Sequence, residues 1–309
     1  MAAAQPIIVA RDLRKSYGPL RAVDGVSFEV SEGEVFGILG PNGAGKTTTL
    51  EMIEGMRPID GGSATVDGLD VAADPQAVKA RIGIQLQASA FFDELNLTEL
   101  LVLFGHLYHV RADASRLLAD VELTDKARSQ VRTLSGGQKQ RFSIAAALVN
   151  DPRVVFLDEP TTGLDPQARR HMWGLIAGIR HRGHTVVLTT HYMEEAETLC
   201  DRVAIMDAGR IIALDTPDAL RATVGGDSIT IRAREPDDLA RAIRERFACE
   251  ATVLDGNVRL EQPEGHRWIT RLVEAFPGRI ESVTLGKPTL EDVFIDRTGH
   301  RFWTERDET

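Results

Sequence analysis

Three short apolar runs, each ending abruptly in polar side chains, organise the first two-thirds of the chain. Glu34–Gly40 (EVFGILG) runs into a glycine-rich loop, Arg153–Pro160 (RVVFLDEP) into two adjacent carboxylates, and His184–His191 (HTVVLTTH) into a histidine. Runs that are apolar on both faces predict central, parallel strands covered by helices on both sides. The polar carboxyl ends of such strands line one edge of an open α/β sheet, where ligands bind. A helical period follows each run, over Lys46–Met56, Gln167–Arg182 and Met193–Leu199.

Between Gln87 and Ser135 the pattern changes. FFDELNLTELLVLFGHLYHV and DASRLLADVEL carry helical periodicity and no strand alternation, which predicts an α-helical insertion over about 88–150. Beyond RIIALDTPDALRATVGGD the order is strand (SITIRAR), helix (PDDLARAIRERF), two strands about an Asp255-Gly256-Asn257 turn, helix (GHRWITRLVEAF) and strand (IESVTL). That β-α-β-β-α-β order is the split βαβ pattern of a ferredoxin-like α+β unit. A short amphipathic helix, TLEDVFIDRTG, closes it. The expected division is a first domain over 1–224 and a smaller one over 225–309, with the boundary near Val224–Asp227, where two glycines interrupt the chain.

Length and charge narrow the reading further. At 309 residues and 43% hydrophobic side chains the chain has material for one large domain and a smaller one. A formal charge of −10 argues against a nucleic-acid partner, which needs a basic face, but leaves room for a nucleotide held by a few local groups. Cys200 and Cys249 lie in no metal or redox spacing and read as reduced thiols of a cytosolic protein. The amino terminus lacks a signal-peptide pattern, and no stretch approaches 18 consecutive apolar residues, so any membrane role requires a partner.

The chemistry begins at Gly40–Thr48. GPNGAGKT fits G-x-x-x-x-G-K-[ST]: glycines turn backbone N–H groups inward around Asn42, Gly43, Ala44 and Gly45, Lys46 reaches the β/γ-phosphates, and Thr47 can ligate Mg²⁺. Thr48 adds a hydroxyl near the α-phosphate. Asp158 and Glu159 end a buried strand, where neighbouring acids repel unless a cation is present. Asp158 serving Mg²⁺ and Glu159 serving as base or polariser for an attacking water is the economical division. His191 ends the adjoining run and supplies a donor where charge grows on the γ-phosphate. Gln87 offers an amide to Mg²⁺ or the water, with Gln85 a rival two positions away. Tyr17 is either a half-buried strand aromatic or a platform on which adenine stacks. A second anion-holding turn, TLSGGQ, precedes a helix, with Ser135 as cap and Gly136 and Gly137 leaving N–H groups bare.

Taken together these residues resemble the nucleotide-binding subunit of ATP-binding cassette (ABC) transporters over roughly Ile7–Asp215. The order is that of the family: an aromatic A-loop (Tyr17), Walker A (Gly40–Thr48), Q-loop (Gln87, favoured over Gln85 by its place in the pattern), signature LSGGQ (Leu134–Gln138), Walker B (Val154–Asp158) with Glu159, D-loop (Gly163–Asp165) and switch histidine (His191). The resemblance implies an α/β fold with a RecA-like P-loop NTPase core, an N-terminal antiparallel β subdomain and an α-helical signature subdomain. It also implies head-to-tail dimers, identical or with a similar cassette, closing on two Mg·ATP. Lys46, Thr47, Gln87, Asp158, Glu159 and His191 of one subunit would then face Ser135 and Gly137 of the other, with Gln138 and Asp165 beside the nucleotide. The tail resembles the LEDVF…TG ending of drug-export cassettes of the daunorubicin-resistance type, whose partners are ABC-2 permeases. The expectation is an exporter ATPase on the cytoplasmic face of the membrane, held there by its permease. An importer ATPase with a ferredoxin-like regulatory domain, or a non-transport ABC ATPase, stays open. Phe91 and Phe92 are equally candidates for the permease dock and for the local core.

Overall fold

The computed structural model describes residues 6–86 and 91–302. Strands β1 (Pro6–Tyr17) and β2 (Leu20–Ser31) form a long hairpin, and β3 (Val35–Leu39) leads through the glycine loop into α1 (Lys46–Ile53). Strands β4 (Gly61–Val66) and β5 (Leu69–Asp70), helix α2 (Pro75–Arg81) and strand β6 (Ile82–Gln85) follow. The chain continues as α3 (Leu97–Leu107), α4 (Ala114–Asp120), α5 (Gly136–Ala147), β7 (Val154–Asp158), α6 (Pro166–His181), β8 (Thr185–Thr190), α7 (Met193–Leu199), β9 (Arg202–Asp207) and β10 (Arg210–Asp215). After α8 (Pro217–Thr223) come β11 (Asp227–Ala233), α9 (Pro236–Phe247), β12 (Thr252–Leu254), β13 (Asn257–Gln262), α10 (Gly265–Ala275), β14 (Ile280–Gly286) and α11 (Leu290–Thr298).

A six-stranded sheet in the order β10-β9-β3-β8-β7-β6 carries the site. From β9 to β6 its neighbours are parallel, and β10 closes one edge antiparallel to β9. Every residue of β3, β7 and β8 is buried, as strands covered on both faces require. Register is exact across the three: Leu39 lies opposite Thr190, and Asp158 opposite Thr189, so their polar ends meet at one edge. A separate antiparallel sheet, β2-β1-β4-β5, packs its apolar face on the same core, where Phe28 stacks on Phe36 with ring centroids 5.0 Å apart.

The helical stretch differs from its sequence reading at one end. FFDELN is not helical: α3 starts at Leu97, because Asn96 accepts from the Glu99 backbone N–H at 3.0 Å while the Glu99 carboxylate accepts from the Asn96 N–H at 2.9 Å. This reciprocal capping box satisfies two of the helix's orphan donors and fixes its start. Helix α5 runs against β6, close enough that a Cβ on Gly83 would lie 1.9 Å from the Ala147 carbonyl oxygen.

The chain divides into two compact units, with a break between Pro217 and Asp218. The second unit, Asp218–Arg301, thus takes in most of α8, and the Val224–Asp227 stretch lies inside it. Its sheet order, β12-β13-β11-β14, is antiparallel throughout, the ferredoxin-like arrangement of a β-α-β-β-α-β chain. Asp255 and Gly256 take positive φ (53° and 70°) in the two-residue turn joining β12 to β13. Leu239 and Ile243 of α9 and Leu272 of α10 fill the core against Ile229, Ile231 and Val258 of the sheet.

Candidate active site

The loop after β3 folds round on itself. Gly45 sits at φ 97°, and a Cβ there would meet the Ala22 carbonyl oxygen at 2.3 Å, so only glycine allows the loop this close to β2. Ala44 is buried, its N–H donating to the Pro41 carbonyl at 3.2 Å. Lys46, 4% exposed, turns its ammonium back into the loop, donating to the carbonyls of Gly40 (2.9 Å) and Pro41 (3.1 Å) and lying 3.4 Å from Glu159 Oε1. The adjoining cavity of about 360 Å³ is lined by Asn42, Gly43, Gly45, Lys46, Thr47, Thr48 and Glu159, together with Tyr17, Leu20 and Ala22. Tyr17 is 40% exposed, and Lys15 and Arg57 flank its ring at 5.9 and 5.5 Å from the centroid.

Asp158 and Glu159 have different partners, and of the two only Glu159 lines the cavity. The Asp158 carboxylate accepts from Thr47 Oγ1 (3.1 and 3.2 Å) and from Thr189 Oγ1. Burial pushes its pKa up, the two hydroxyls pull it back, and the Glu159 charge adds to the rise. Glu159 follows in the left-handed region, at φ 48°, with its N–H donating to Thr189 Oγ1 at 2.9 Å. That turn directs the next carboxylate toward Lys46, Thr162 Oγ1 (3.0 Å) and His191 Nδ1 (3.1 Å). Burial alone would raise the Glu159 pKa; the His191 hydrogen bond, the Lys46 and His191 charges and the Thr162 hydroxyl outweigh it and bring it down to about 2. Glu159 is therefore an ionised carboxylate beside the loop that would hold phosphate.

The signature turn lies at a second cleft, about 350 Å³, whose lining residues include Ser135, Gly137, Gln138, Leu164 and Asp165 and none of those lining the first. Ser135 caps α5, accepting from the Gln138 N–H, while the Ser135 N–H donates to Gln138 Oε1 at 3.0 Å. Asp165 caps α6, accepting from the Gln167 and Ala168 N–H groups at 2.9 Å each. Gln140 Nε2 on α5 donates to the Glu159 carbonyl at 3.4 Å, linking the two regions.

The structure thus gathers Lys46, Thr47, Asp158, Glu159 and His191 into one cluster, with Tyr17 lining the same cavity as Lys46, Thr47 and Glu159, and sets Ser135, Gly137, Gln138 and Asp165 apart from it. Gln87 lies outside the described residues. Its rival Gln85 is 2% exposed, its amide donating to the neighbouring Leu86 carbonyl at 2.8 Å. Phe91 and Phe92 part ways: Phe91 packs edge-on against Phe142 (centroids 5.0 Å apart), whereas Phe92 is 63% exposed. Sequence reasoning missed Thr189 and Thr162, which hold the two carboxylates. It also missed Glu54 at the end of α1, 1% exposed, whose pKa is pushed up to about 8 by burial and then by the charges of Asp158 and Glu51.

Comparison with known proteins fits this geometry. The profile of a family described as ABC transporter matches residues 23–162. The daunorubicin resistance ATP-binding protein DrrA2 of Streptomyces coeruleorubidus is 41% identical, across 94% of this chain and 95% of its own. The chain belongs to the ABC transporter family. It is an ATPase of that family, and the residues matched by the profile fall in the first unit. The Nod factor export ATP-binding protein I of Paraburkholderia xenovorans is also 41% identical, across 93% of the chain and 95% of its own length. Among solved structures, an ATP-binding cassette in a dimeric post-hydrolysis state bound to ADP and Pi superposes with a TM-score of 0.62 at 26% identity, covering 68% of this chain and 98% of that one.

Proposed function

We propose that the chain is the ATP-hydrolysing subunit of an ABC exporter, binding Mg·ATP in the cavity between Tyr17 and Lys46 and energising a separate ABC-2 type permease. The observation that carries the hydrolytic reading is the buried Glu159 carboxylate, held at once by Lys46 and His191 at the rim of the glycine loop. The residues suit the ligands. The Lys46 ammonium rests on two carbonyls that phosphate oxygens would replace, and Thr47 with Asp158 forms an all-oxygen pair of the hard type Mg²⁺ prefers. Burial raises the Asp158 pKa, a penalty that a divalent cation removes. Bound with ATP, Mg²⁺ would neutralise charge on the β- and γ-phosphates.

The chain's own residues divide the work. Lys46 and the loop N–H groups hold the phosphates, and Tyr17 offers its ring to adenine. Glu159, ionised, orients and accepts a proton from the attacking water, while His191 fixes the carboxylate and offers a donor toward the γ-phosphate. Because the signature turn lines its own cleft, its anion-holding N–H groups serve the nucleotide of a second copy: Ser135 and Gly137 close over the γ-phosphate of the partner, with Gln138 and Asp165 beside them. The dimeric ADP- and Pi-bound relative supports that arrangement. No helix among the described residues is long and apolar enough to cross a membrane, and the exposure of Phe92 near α3 supports docking of a permease on that face. Export is supported by relatives named for daunorubicin resistance and Nod factor export. The second unit acts as an accessory domain, and the complex sits at the cytoplasmic face of the membrane.

The test is Glu159→Gln. The variant keeps the size and reach of the side chain and one of its two acceptor oxygens but loses the base, so it binds ATP, hydrolyses it at least ~100-fold more slowly, and accumulates as an ATP-bound dimer by size-exclusion chromatography. A monomeric variant with full activity would overturn the assignment.

A further inference from the structure

His191 is buttressed from behind. Its ring packs against that of Tyr192 with centroids 4.1 Å apart, and the Arg169 guanidinium lies 3.8 Å from the Tyr192 ring centroid. Arg169 stands one turn into α6, its N–H donating at 2.9 Å to the carbonyl of Asp165, the residue that caps the helix and lines the signature cleft. One turn further on, Trp173 donates its indole N–H at 3.1 Å to Glu195, a wholly buried carboxylate on α7. Burial raises the Glu195 pKa, and the Arg169 charge is among the influences opposing it, so the guanidinium and this carboxylate share one field. A half-buried cation, an aromatic ring and the tilted imidazole of His191 thus form a continuous line of contacts leading from the start of α6 to Glu159.

We propose that Arg169 is a positioning residue for His191: by clamping Tyr192 it fixes the imidazole plane, and so ties the Asp165 turn to the hydrogen bond between His191 and Glu159. The physical basis is the attraction of a cation to the ring face, strengthened where water is excluded. An imidazole that pivots loses its line to Glu159 Oε2, whereas one held by an aromatic neighbour keeps it. Movement of α6 when the signature cleft is covered reaches Glu159 by this route, with no contact between Arg169 and the nucleotide. The inference rests on the catalytic assignment of His191 made above.

The experiment is a double-mutant cycle in the full-length chain, assayed with its permease where hydrolysis requires it. Arg169→Ala lowers kcat about tenfold, the size of a lost buried cation–ring contact, and leaves the Kd for a fluorescent ATP analogue within about twofold. Arg169→Lys, which keeps a cation over the ring, recovers most of the loss. In a His191→Ala background, Arg169→Ala costs less than about twofold, since the group it positions is gone. The His191 imidazole ¹⁵N resonances of the chain alone shift in Arg169→Ala and return in Arg169→Lys. If Arg169→Ala unfolds the cassette, Tyr192→Phe and Tyr192→Leu carry the same comparison, with Phe near wild type and Leu impaired. A full tenfold loss persisting in the His191→Ala background, or lysine no better than alanine, overturns the relay alone. Unchanged kcat in His191→Ala overturns the site assignment, and the relay with it.

Discussion

Glu54→Gln should stabilise this protein at neutral pH and do almost nothing at pH 4.5. Glu54 ends α1 with 1% exposure, and its pKa is raised to about 8 from an ordinary 4.5, first by burial and then by the charges of Asp158 and Glu51. Below pH 4.5 the carboxyl is protonated in both the folded and the unfolded chain and contributes no pH dependence. Between pH 4.5 and about 8 the unfolded chain releases the proton while the folded chain retains it, so stability falls as pH rises. Each pH unit in that window is worth about 1.4 kcal/mol, which sets an upper bound of ~4 kcal/mol at pH 7.5. Glutamine reproduces the neutral shape without the titration. The expected gain is ~2–4 kcal/mol at pH 7.5 and under ~0.5 kcal/mol at pH 4.5. For a unit of this size that is a rise in the melting temperature of roughly 5–10 °C. Differential scanning calorimetry of wild type and variant at the two pH values decides the matter. An equal gain at both, or none at pH 7.5, would refute a neutral buried Glu54.

Glu159 works with the opposite sign. Its pKa is lowered, so the carboxylate contributes stability above about pH 4.5 that is lost as pH falls toward about 2; wild type should exceed Glu159→Gln in nucleotide-free stability at pH 6–7, and acid titration of both should close the gap. Ser135→Arg should abolish hydrolysis while single-chain ATP binding stays within about twofold, because the signature cleft shares no lining residue with the phosphate cavity; isothermal titration showing lost binding would contradict the dimer reading. Gly83→Ala should destabilise the first unit by about 3 kcal/mol or more, since the new Cβ falls 1.9 Å from the Ala147 carbonyl oxygen; urea denaturation measures it, and a change under ~1 kcal/mol would mean that α5 and β6 are less closely packed than described.

The strands that carry the site were legible because burial on both faces leaves unbroken apolar runs, and because their polar ends stand out against them. The first sheet was not readable in that way. β1 breaks its own alternation at Asp12, which takes φ 49° where the pairing with β2 shifts register, so its expectation came from family resemblance alone. The start of α3 was written in the sequence as Asn96-Leu97-Thr98-Glu99, a capping box, but apolar periodicity runs past it to Phe91 and hides the boundary. Thr189 and Thr162 were invisible for a different reason. A hydroxyl becomes part of a site only through what lies across the sheet from it, and Asp158 stands 31 positions away from Thr189 along the chain. Glu54 shows the same limit in reverse: a charged letter in a helix reads as a solvent-facing residue until the fold encloses it.

The left-handed backbone at Glu159 also constrains which sequences can occupy this position. Two consecutive residues of a strand ordinarily point to opposite faces; here one positive φ lets adjacent carboxylates reach different partners in a single cluster, Thr47 and Thr189 for Asp158, Lys46 and His191 for Glu159. Side chains branched at Cβ are excluded twice over, by conformation and by chemistry, and glycine would relax the backbone while deleting the base. The replacements that keep both the turn and the reach are few and unbranched, glutamine first among them. A lineage that abandons hydrolysis but retains nucleotide-driven closure would therefore have a short list of single-residue routes at this point, and the kink itself would outlast the activity.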